Sequence, residues 1–271
     1  MKLFNSFNLS GLELSSRIVM APLTRRRATT NNVPVNIMAE YYGQRASAGL
    51  IIAEGTSPSP NGVGYCNMPA LYNKEQMNAW KPITKTVHDN GGKIFLQVMH
   101  AGRVGHANNL PSGAKLFGPS AIAQVGDVAT YNYGRQKYSI PVSMSLADID
   151  NAVEEFTNCS ILAIEAGFDG VEIHGAHGYL PNQFLNQSSN FRNDAYGGSL
   201  YHRLRFLNRI IDSTAAEIGP NKVSLRISPF SYADVDENPI KLRKLYLELV
   251  ANLNSKKLAY LHLSHMGEAV S

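Results

Sequence analysis

Hydrophobic positions in this chain come in short runs rich in β-branched residues, separated by longer stretches with helical spacing. The runs lie at 17–21 (RIVMA), 50–54 (LIIAE), 93–97 (KIFLQ), 170–174 (GVEIH), 223–227 (VSLRI) and 259–263 (AYLHL). Three intervening stretches, 146–166, 199–218 and 239–253, read as helices. Ser145 stands at the N-cap position of the first and Gly167 at its C′ stop, while the second ends at Gly219-Pro220. Buried strands alternating with helices predict a parallel sheet covered by helices. The first sixteen residues alternate polar and apolar and predict a hairpin turning at Ser10-Gly11, placed to close one end of the sheet. The stretch 98–145 is too long for an ordinary strand-to-helix connection and predicts an elaborated lid.

Polar residues gather where each run ends: Thr24, Glu54, Gln97 with His100, His174, Arg226 with Ser228, and Ser264 with His265. A (β/α)8 barrel draws its active-site groups from the C-terminal ends of many strands. A dinucleotide-binding open sheet would instead place a glycine-rich turn after the first strand, and here that turn is APLTRRRAT, with no glycine. The barrel is therefore the predicted fold, a single domain over residues 1–271. Six runs are present against eight strands in such a barrel, and only eight residues follow Leu263, so an incomplete barrel of about six βα units is expected.

Composition narrows the partners. With 271 residues, 44% hydrophobic, the chain is long enough for a large core. A net charge of +4 is spread along it, and Arg25-Arg26-Arg27, the densest basic run, is too short for a nucleic-acid footprint. No apolar run reaches membrane-spanning length and the N-terminus lacks a signal-peptide core, so neither membrane nor secretion is expected. Cys66 and Cys159 fit no metal or redox spacing, which predicts a reducing, cytoplasmic setting.

The candidate chemistry centres on EIHGAHGYL at 172–180, which groups His174, His177 and Tyr179 around glycines. Two imidazole donors aimed at one oxygen would polarise a carbonyl or nitro group, and a phenol beside them suits protonation of a carbanion-like centre. Two other readings compete: a packed pair of satisfied histidines, and a metal site joined by the second His-x-x-His pair, His262 and His265. In VSLRIS, Arg226 alternates away from its apolar neighbours and needs an anion, either Glu172 or Glu54 or a ligand that develops negative charge. The Gln97 amide offers a donor and an acceptor to a heterocycle edge, or to nearby backbone. The Thr24 hydroxyl is placed to cap a helix or to donate to a ligand carbonyl.

Seven stretches carry a family resemblance: RIVMAPLTR (17–25), MAEYYGQRASAGLIIAEGT (38–56), FLQVMHAGR (95–103), AGFDGVEIHGAHGYLPNQFL (166–185), SSNFRNDAYGGSLYHR (188–203), VSLRISP (223–229) and AYLHLS (259–264). In this order the chain resembles the old yellow enzyme family of FMN-dependent ene-reductases, particularly its N-ethylmaleimide reductase and 12-oxophytodienoate reductase branches. The resemblance implies a (β/α)8 barrel holding non-covalent FMN at the strand C-termini. By position, Pro22, Leu23, Thr24, Gly55, Gln97 and Arg226 would contact the flavin, Arg226 on the side where negative charge grows. His174 and His177 would hold the oxygen of a small α,β-unsaturated carbonyl or nitro substrate, Tyr179 would donate the proton, and Tyr65 would border the substrate pocket. NAD(P)H would be the reductant.

The chain departs from that pattern in three places. Met99 stands where many relatives carry Trp, which is expected to soften one pocket wall, and Pro181 replaces an apolar residue and is expected to shift its loop. The family's phosphate-binding turn after the last two strands has no counterpart in these residues. The alternative expectation is therefore a truncated, inactive relative with weak or no flavin binding.

Overall fold

The computed structural model describes residues 2–231 and 238–264. The chain opens with a hairpin, β1 (Phe7–Leu9) and β2 (Leu12–Leu14). Ser10 (φ 51°) and Gly11 (φ 100°) both take the left-handed backbone that a tight two-residue hairpin turn requires. The main sheet then begins with β3 (Val19–Met20) and β4 (Leu50–Thr56), with α1 (Asn36–Gly43) between them. Next come α2 (Lys74–Asp89) and β5 (Ile94–Val98).

The lid spans four short strands: β6 (Phe117–Gly118), β7 (Asp127–Thr130), β8 (Gly134–Lys137) and β9 (Val142–Ser143). The alternation resumes with α3 (Leu146–Glu165), β10 (Gly170–His174), α4 (Leu180–Leu185), α5 (Leu200–Ile218) and β11 (Val223–Ile227). It continues through α6 (Pro239–Asn254) to β12 (Leu261–Leu263).

The six-stranded sheet runs in the order β12-β11-β10-β5-β4-β3, and all of its pairs are parallel. Every residue of β4, β5 and β10 is buried, as expected of strands covered on both faces. One large core lies between the sheet and its helices; Trp80 of α2, Phe156 of α3 and Phe206 of α5 are fully buried there. A smaller cluster closes the other end: Leu14 of the hairpin packs with Leu50, Ile52, Phe95 and Ala259. Val19 of β3 and Leu261 and Leu263 of β12 line one cavity with Leu50 and Ile52, so the two sheet edges curl toward each other as in a barrel.

The predicted strands and helices appear with small shifts. β3 and β12 are shorter than their sequence runs, because each pairs along one side only among the described residues. The capping box at Ser145 and Asp148 starts α3, and Gly167 ends it at φ 92°. The structure adds α1, α2 and α4. In α2, Pro82 interrupts the helical signal, yet burial of Met77, Trp80, Ile83 and Val87 carries the helix through it.

Candidate active site at the strand C-termini

Strand register brings the polar ends together. Gln97 on β5 is the Cα partner of Glu172 on β10, and His174 at the end of β10 is the partner of Arg226 on β11. Between β4 and β5 the register shifts: Ala53 faces Leu96 and Thr56 faces Val98, which leaves Glu54 and Gly55 to share the place opposite Gln97. Such a bulge bends a strand and re-aims its side chains.

Two fully buried carboxylates organise this rim. Glu172 accepts hydrogen bonds from Gln97 Nε2 (2.8 Å) and Tyr260 OH (3.1 Å), and its other close partner is His262 Nδ1 (2.9 Å). Glu54 accepts from the backbone N–H groups of Arg25 (2.8 Å) and Arg26 (3.2 Å) and from Tyr42 OH (3.2 Å). Burial nevertheless holds the Glu54 carboxyl above its usual range. Through these bonds Glu54 anchors the segment after β3 that carries Pro22, Leu23 and Thr24. Pro22 is buried, while Leu23 and Thr24 are exposed. Thr24 caps no helix, because α1 begins only at Asn36 behind Val35.

The ion-pair alternative for Arg226 is corrected by these contacts. Both carboxylates are committed elsewhere, and among the described residues Arg226 forms no ion pair with either. Its Nη2 donates to Ser264 Oγ (3.1 Å), while its Nε is buried with no hydrogen-bond partner among the described residues. Burial lowers its pKa, and the Glu172 charge opposes that pull. The Gln97 donor likewise meets a carboxylate rather than backbone.

His174, His177 and Tyr179 converge as a cluster. The chain turns sharply after β10: His177 (φ 56°) and Gly178 (φ 78°) are both left-handed. For a non-glycine residue that conformation needs support, and His177 N–H donates to Ser228 Oγ (2.9 Å). Gly178 N–H donates to Asn182 Oδ1 (2.8 Å), and Gln183 Nε2 to Gly178 O (2.7 Å). His174 Nδ1 accepts from Ala176 N–H (3.3 Å), which leaves the ring proton on Nε2. The His174 ring centroid lies 5.4 Å from that of His177 and 4.7 Å from that of Tyr179.

His177 Nε2 meets Ser264 Oγ at 3.0 Å, the same hydroxyl that receives Arg226 Nη2. Burial, reinforced by the neighbouring cations, pulls the His174 pKa well below the ordinary imidazole value and that of His177 to about 4. Both rings are therefore neutral at physiological pH and act as N–H donors rather than acids.

Tyr65 completes the cluster. Its hydroxyl lies 2.8 Å from that of Tyr179, with the rings edge to face. Met99, Val63 and Met68 form an apolar backing against which both tyrosines pack. A Cβ on Gly55 would come within 2.6 Å of Met99 Sδ, so the space that glycine opens is filled here by the thioether. Pro181 sits in the first turn of α4, a position that suits proline, with Tyr179 as N-cap. A cavity of about 360 Å³ lies against His177, Tyr179 and Tyr65 and extends beneath Gln124 and Tyr138 of the lid.

The metal reading finds no support in the cluster that was expected to carry it. His262 is engaged by Glu172, and no group of three or more potential ligands occurs among the described residues. His265 lies outside the described residues. Sequence reasoning marked Ser228 and Ser264 only as polar strand ends and missed Asn182 and Gln183 altogether. Their roles are set by a loop whose path no local pattern announces. Among the described residues no helix is long and apolar enough to cross a membrane.

Comparison with known proteins agrees with this geometry. Residues 2–271 match the model of the NADH:flavin oxidoreductase / NADH oxidase family. The chain is 41% identical over 269 residues to 12-oxophytodienoate reductase 7 of Oryza sativa subsp. japonica, covering 97% of this chain and 68% of that protein. It is 40% identical over 259 residues to a probable flavin mononucleotide-dependent alkene reductase of Leishmania infantum, covering 93% and 70%. Among solved structures it superposes on the old yellow enzyme homologue from Zymomonas mobilis with a TM-score of 0.93 at 38% identity, covering 98% of this chain and 74% of that one. Morphinone reductase in complex with tetrahydroNAD gives a TM-score of 0.90 at 39% identity, covering 97% and 73%.

Proposed function

Because the chain belongs to the NADH:flavin oxidoreductase / NADH oxidase family, as an oxidoreductase of the old yellow enzyme type, we propose that it reduces the activated C=C bond of α,β-unsaturated carbonyl or nitro compounds within a single domain. The observation that carries this reading is the convergence of two neutral imidazoles with a paired tyrosine beside a cavity. The Leishmania relative is FMN-dependent by name, and the morphinone reductase structure contains tetrahydroNAD. For this chain the cofactor is FMN, held non-covalently, and the reductant is NAD(P)H.

The residues present fit FMN. Arg226 keeps a buried Nε without a partner among the described residues, an arrangement suited to a ligand edge that gains negative charge. Gln97 and Gly55 stand side by side on β5 and β4, and Glu54 anchors the Pro22–Leu23–Thr24 backbone next to them. These are the residues that would hold the cofactor, which when bound supplies a hydride for the substrate β-carbon.

The chain's own groups do the rest. His174 Nε2–H, its tautomer set by Ala176 N–H, donates to the substrate oxygen. His177 donates beside it, oriented by Ser264 and held in its strained turn by Ser228. Together they stabilise negative charge as it develops on that oxygen. Tyr179 delivers the proton to the α-carbon, and Tyr65 OH, 2.8 Å away, is placed to replace it.

The test is Tyr179→Phe in FMN-loaded protein, with the two half-reactions followed separately by stopped-flow absorbance. Oxidation by 2-cyclohexenone should slow by about 10²–10⁴-fold, the usual contribution of a positioned proton donor. Flavin reduction by NADPH should be nearly unchanged. Equal loss in both halves would mean that Tyr179 is not the proton donor.

A further inference from the structure

Glu172 takes no part in the proposed reaction, yet it is fully buried and ties three strands together. Leu96 and Val98 on β5, and Val171 and Ile173 on β10, turn to the core under the helices. The residues between them, Gln97 and Glu172, therefore turn to the opposite face of the sheet. Strand register sets these two side by side. Tyr260, just before β12, and His262, within it, alternate onto the same face and reach Glu172 across the intervening β11.

This hub dictates which way the Gln97 amide faces. Glu172 Oε2 receives Tyr260 O–H (3.1 Å) and His262 Nδ1 (2.9 Å), while Oε1 meets the Gln97 amide at 2.8 Å. Burial and the adjoining carboxylate push the Tyr260 phenol well above its ordinary range, so it keeps its proton and donates. A carboxylate served in this way offers only lone pairs, and the amide group that meets it must be Nε2, which carries hydrogens. The reversed amide would set two oxygens against each other with no proton between them. Gln97 Oε1 is thus turned away from Glu172. Gln97 is only 3% exposed, and among the described residues no group donates to that oxygen. A buried acceptor without a donor is costly unless a ligand supplies one.

We propose that Glu172 is a positioning residue: by fixing the Gln97 amide it sets the polarity of the ligand-facing edge, which accepts an N–H and cannot donate one. The inference rests on the FMN reading, in which that N–H belongs to the imide of the flavin pyrimidine ring. Glu172 acts through Gln97, and counting donors gives the effect of Glu172→Gln. Tyr260 and His262 both donate, so residue 172 must keep an oxygen toward them and turn its new amide nitrogen to Gln97. Gln97 then receives on Oε1 and turns Nε2 outward, donor against donor.

The test titrates flavin-free protein with FMN and with N3-methyl-FMN, which lacks the imide hydrogen, followed by flavin fluorescence. Wild type should bind FMN tighter by about tenfold or more, the scale of one buried acceptor left unsatisfied. Glu172→Gln should weaken FMN by about tenfold and N3-methyl-FMN far less. The exchanged pair Glu172→Gln/Gln97→Glu places the carboxylate at the ligand edge and the amide behind it, and should restore the preference for FMN. A merely structural role of Glu172 predicts no such rescue. A second readout needs neither cofactor nor turnover. In flavin-free protein the Gln97 side-chain NH2 signal, assigned by its loss in Gln97→Met, should show one proton shifted downfield and slow to exchange.

Equal wild-type affinities for the two flavins would overturn the inference. So would a preference undiminished in folded Glu172→Gln, a folded exchanged pair that fails to restore it, or wild-type Gln97 hydrogens that both exchange freely. If no flavin binds the wild type while the Gln97 proton stays protected, the FMN reading fails and the positioning of Gln97 by Glu172 stands.

Discussion

The two ends of the strand bundle are built on opposite principles. At the hairpin end, Leu14, Leu50, Ile52, Phe95 and Ala259 form an apolar plug. At the other end are two buried carboxylates, three buried or half-buried histidines with depressed pKa values, and an arginine Nε lacking a partner among the described residues. The left-handed His177 and the β4 bulge also lie there. The plug is held by apolar packing, whereas the mouth tolerates strain, desolvation and incomplete hydrogen bonding. That asymmetry marks where a ligand is needed to complete the structure.

Three experiments would break or sharpen the contrast. The largest effect should come from the plug: Phe95→Ala should lower the unfolding free energy by about 3–5 kcal/mol, measured by urea titration. Protein that remains folded should keep its mouth intact, read as unchanged FMN affinity; a parallel loss of FMN binding would show that the two ends are not separable.

Acid should act on the mouth. His100 is pulled to about 3 by burial, His177 to about 4, and His174 lies well below its ordinary value. As pH falls below about 6.5 the unfolded chain takes up protons that these folded-state imidazoles refuse, so stability must drop from there toward pH 4. His100 alone accounts for about 2 kcal/mol between pH 6.5 and 5. Glu54 and Glu155, both raised by burial, shift the other way and return part of this. Urea midpoints at pH 7 and pH 5 that coincide would contradict the histidine shifts.

The smallest effect is expected at Glu54→Gln. The amide still accepts hydrogen bonds, so stability should fall by only about 1 kcal/mol. The segment carrying Pro22–Thr24 loses a charge-assisted anchor, and FMN affinity should weaken by about tenfold, read by fluorescence titration of the flavin. An unchanged affinity would free Glu54 of that role.

Much of the frame is legible in the chain. The apolar runs at 170–174 and 223–227 are strands at those very residues, Ser145 and Gly167 bound α3, and Ser10-Gly11 makes the hairpin turn. Each is a local signal, carried by periodicity or by one residue's backbone preference. The site was legible in part, because side chains at the C-terminal end of one strand face those at the same end of the next. Hence their positions at strand ends already mark His174 and Arg226 as candidates, and the register pairs them. For Arg226 the sequence leaves an ion pair with Glu172 or Glu54 open beside the ligand reading, because it shows a carboxylate's existence but not its prior commitments. Glu172 is already held by Gln97, Tyr260 and His262.

The amino-acid sequence by itself determined the alternation of strands and helices, the end of the sheet where polar chemistry collects, and the residue types available there. Only tertiary structure decided that Tyr65 meets Tyr179 across 114 positions and that one Ser264 hydroxyl serves both Arg226 and His177. Backbone preference acts over a few residues and is written locally. Pairing, burial and the cost of an unmatched charge depend on neighbours that only the closed packing brings within reach.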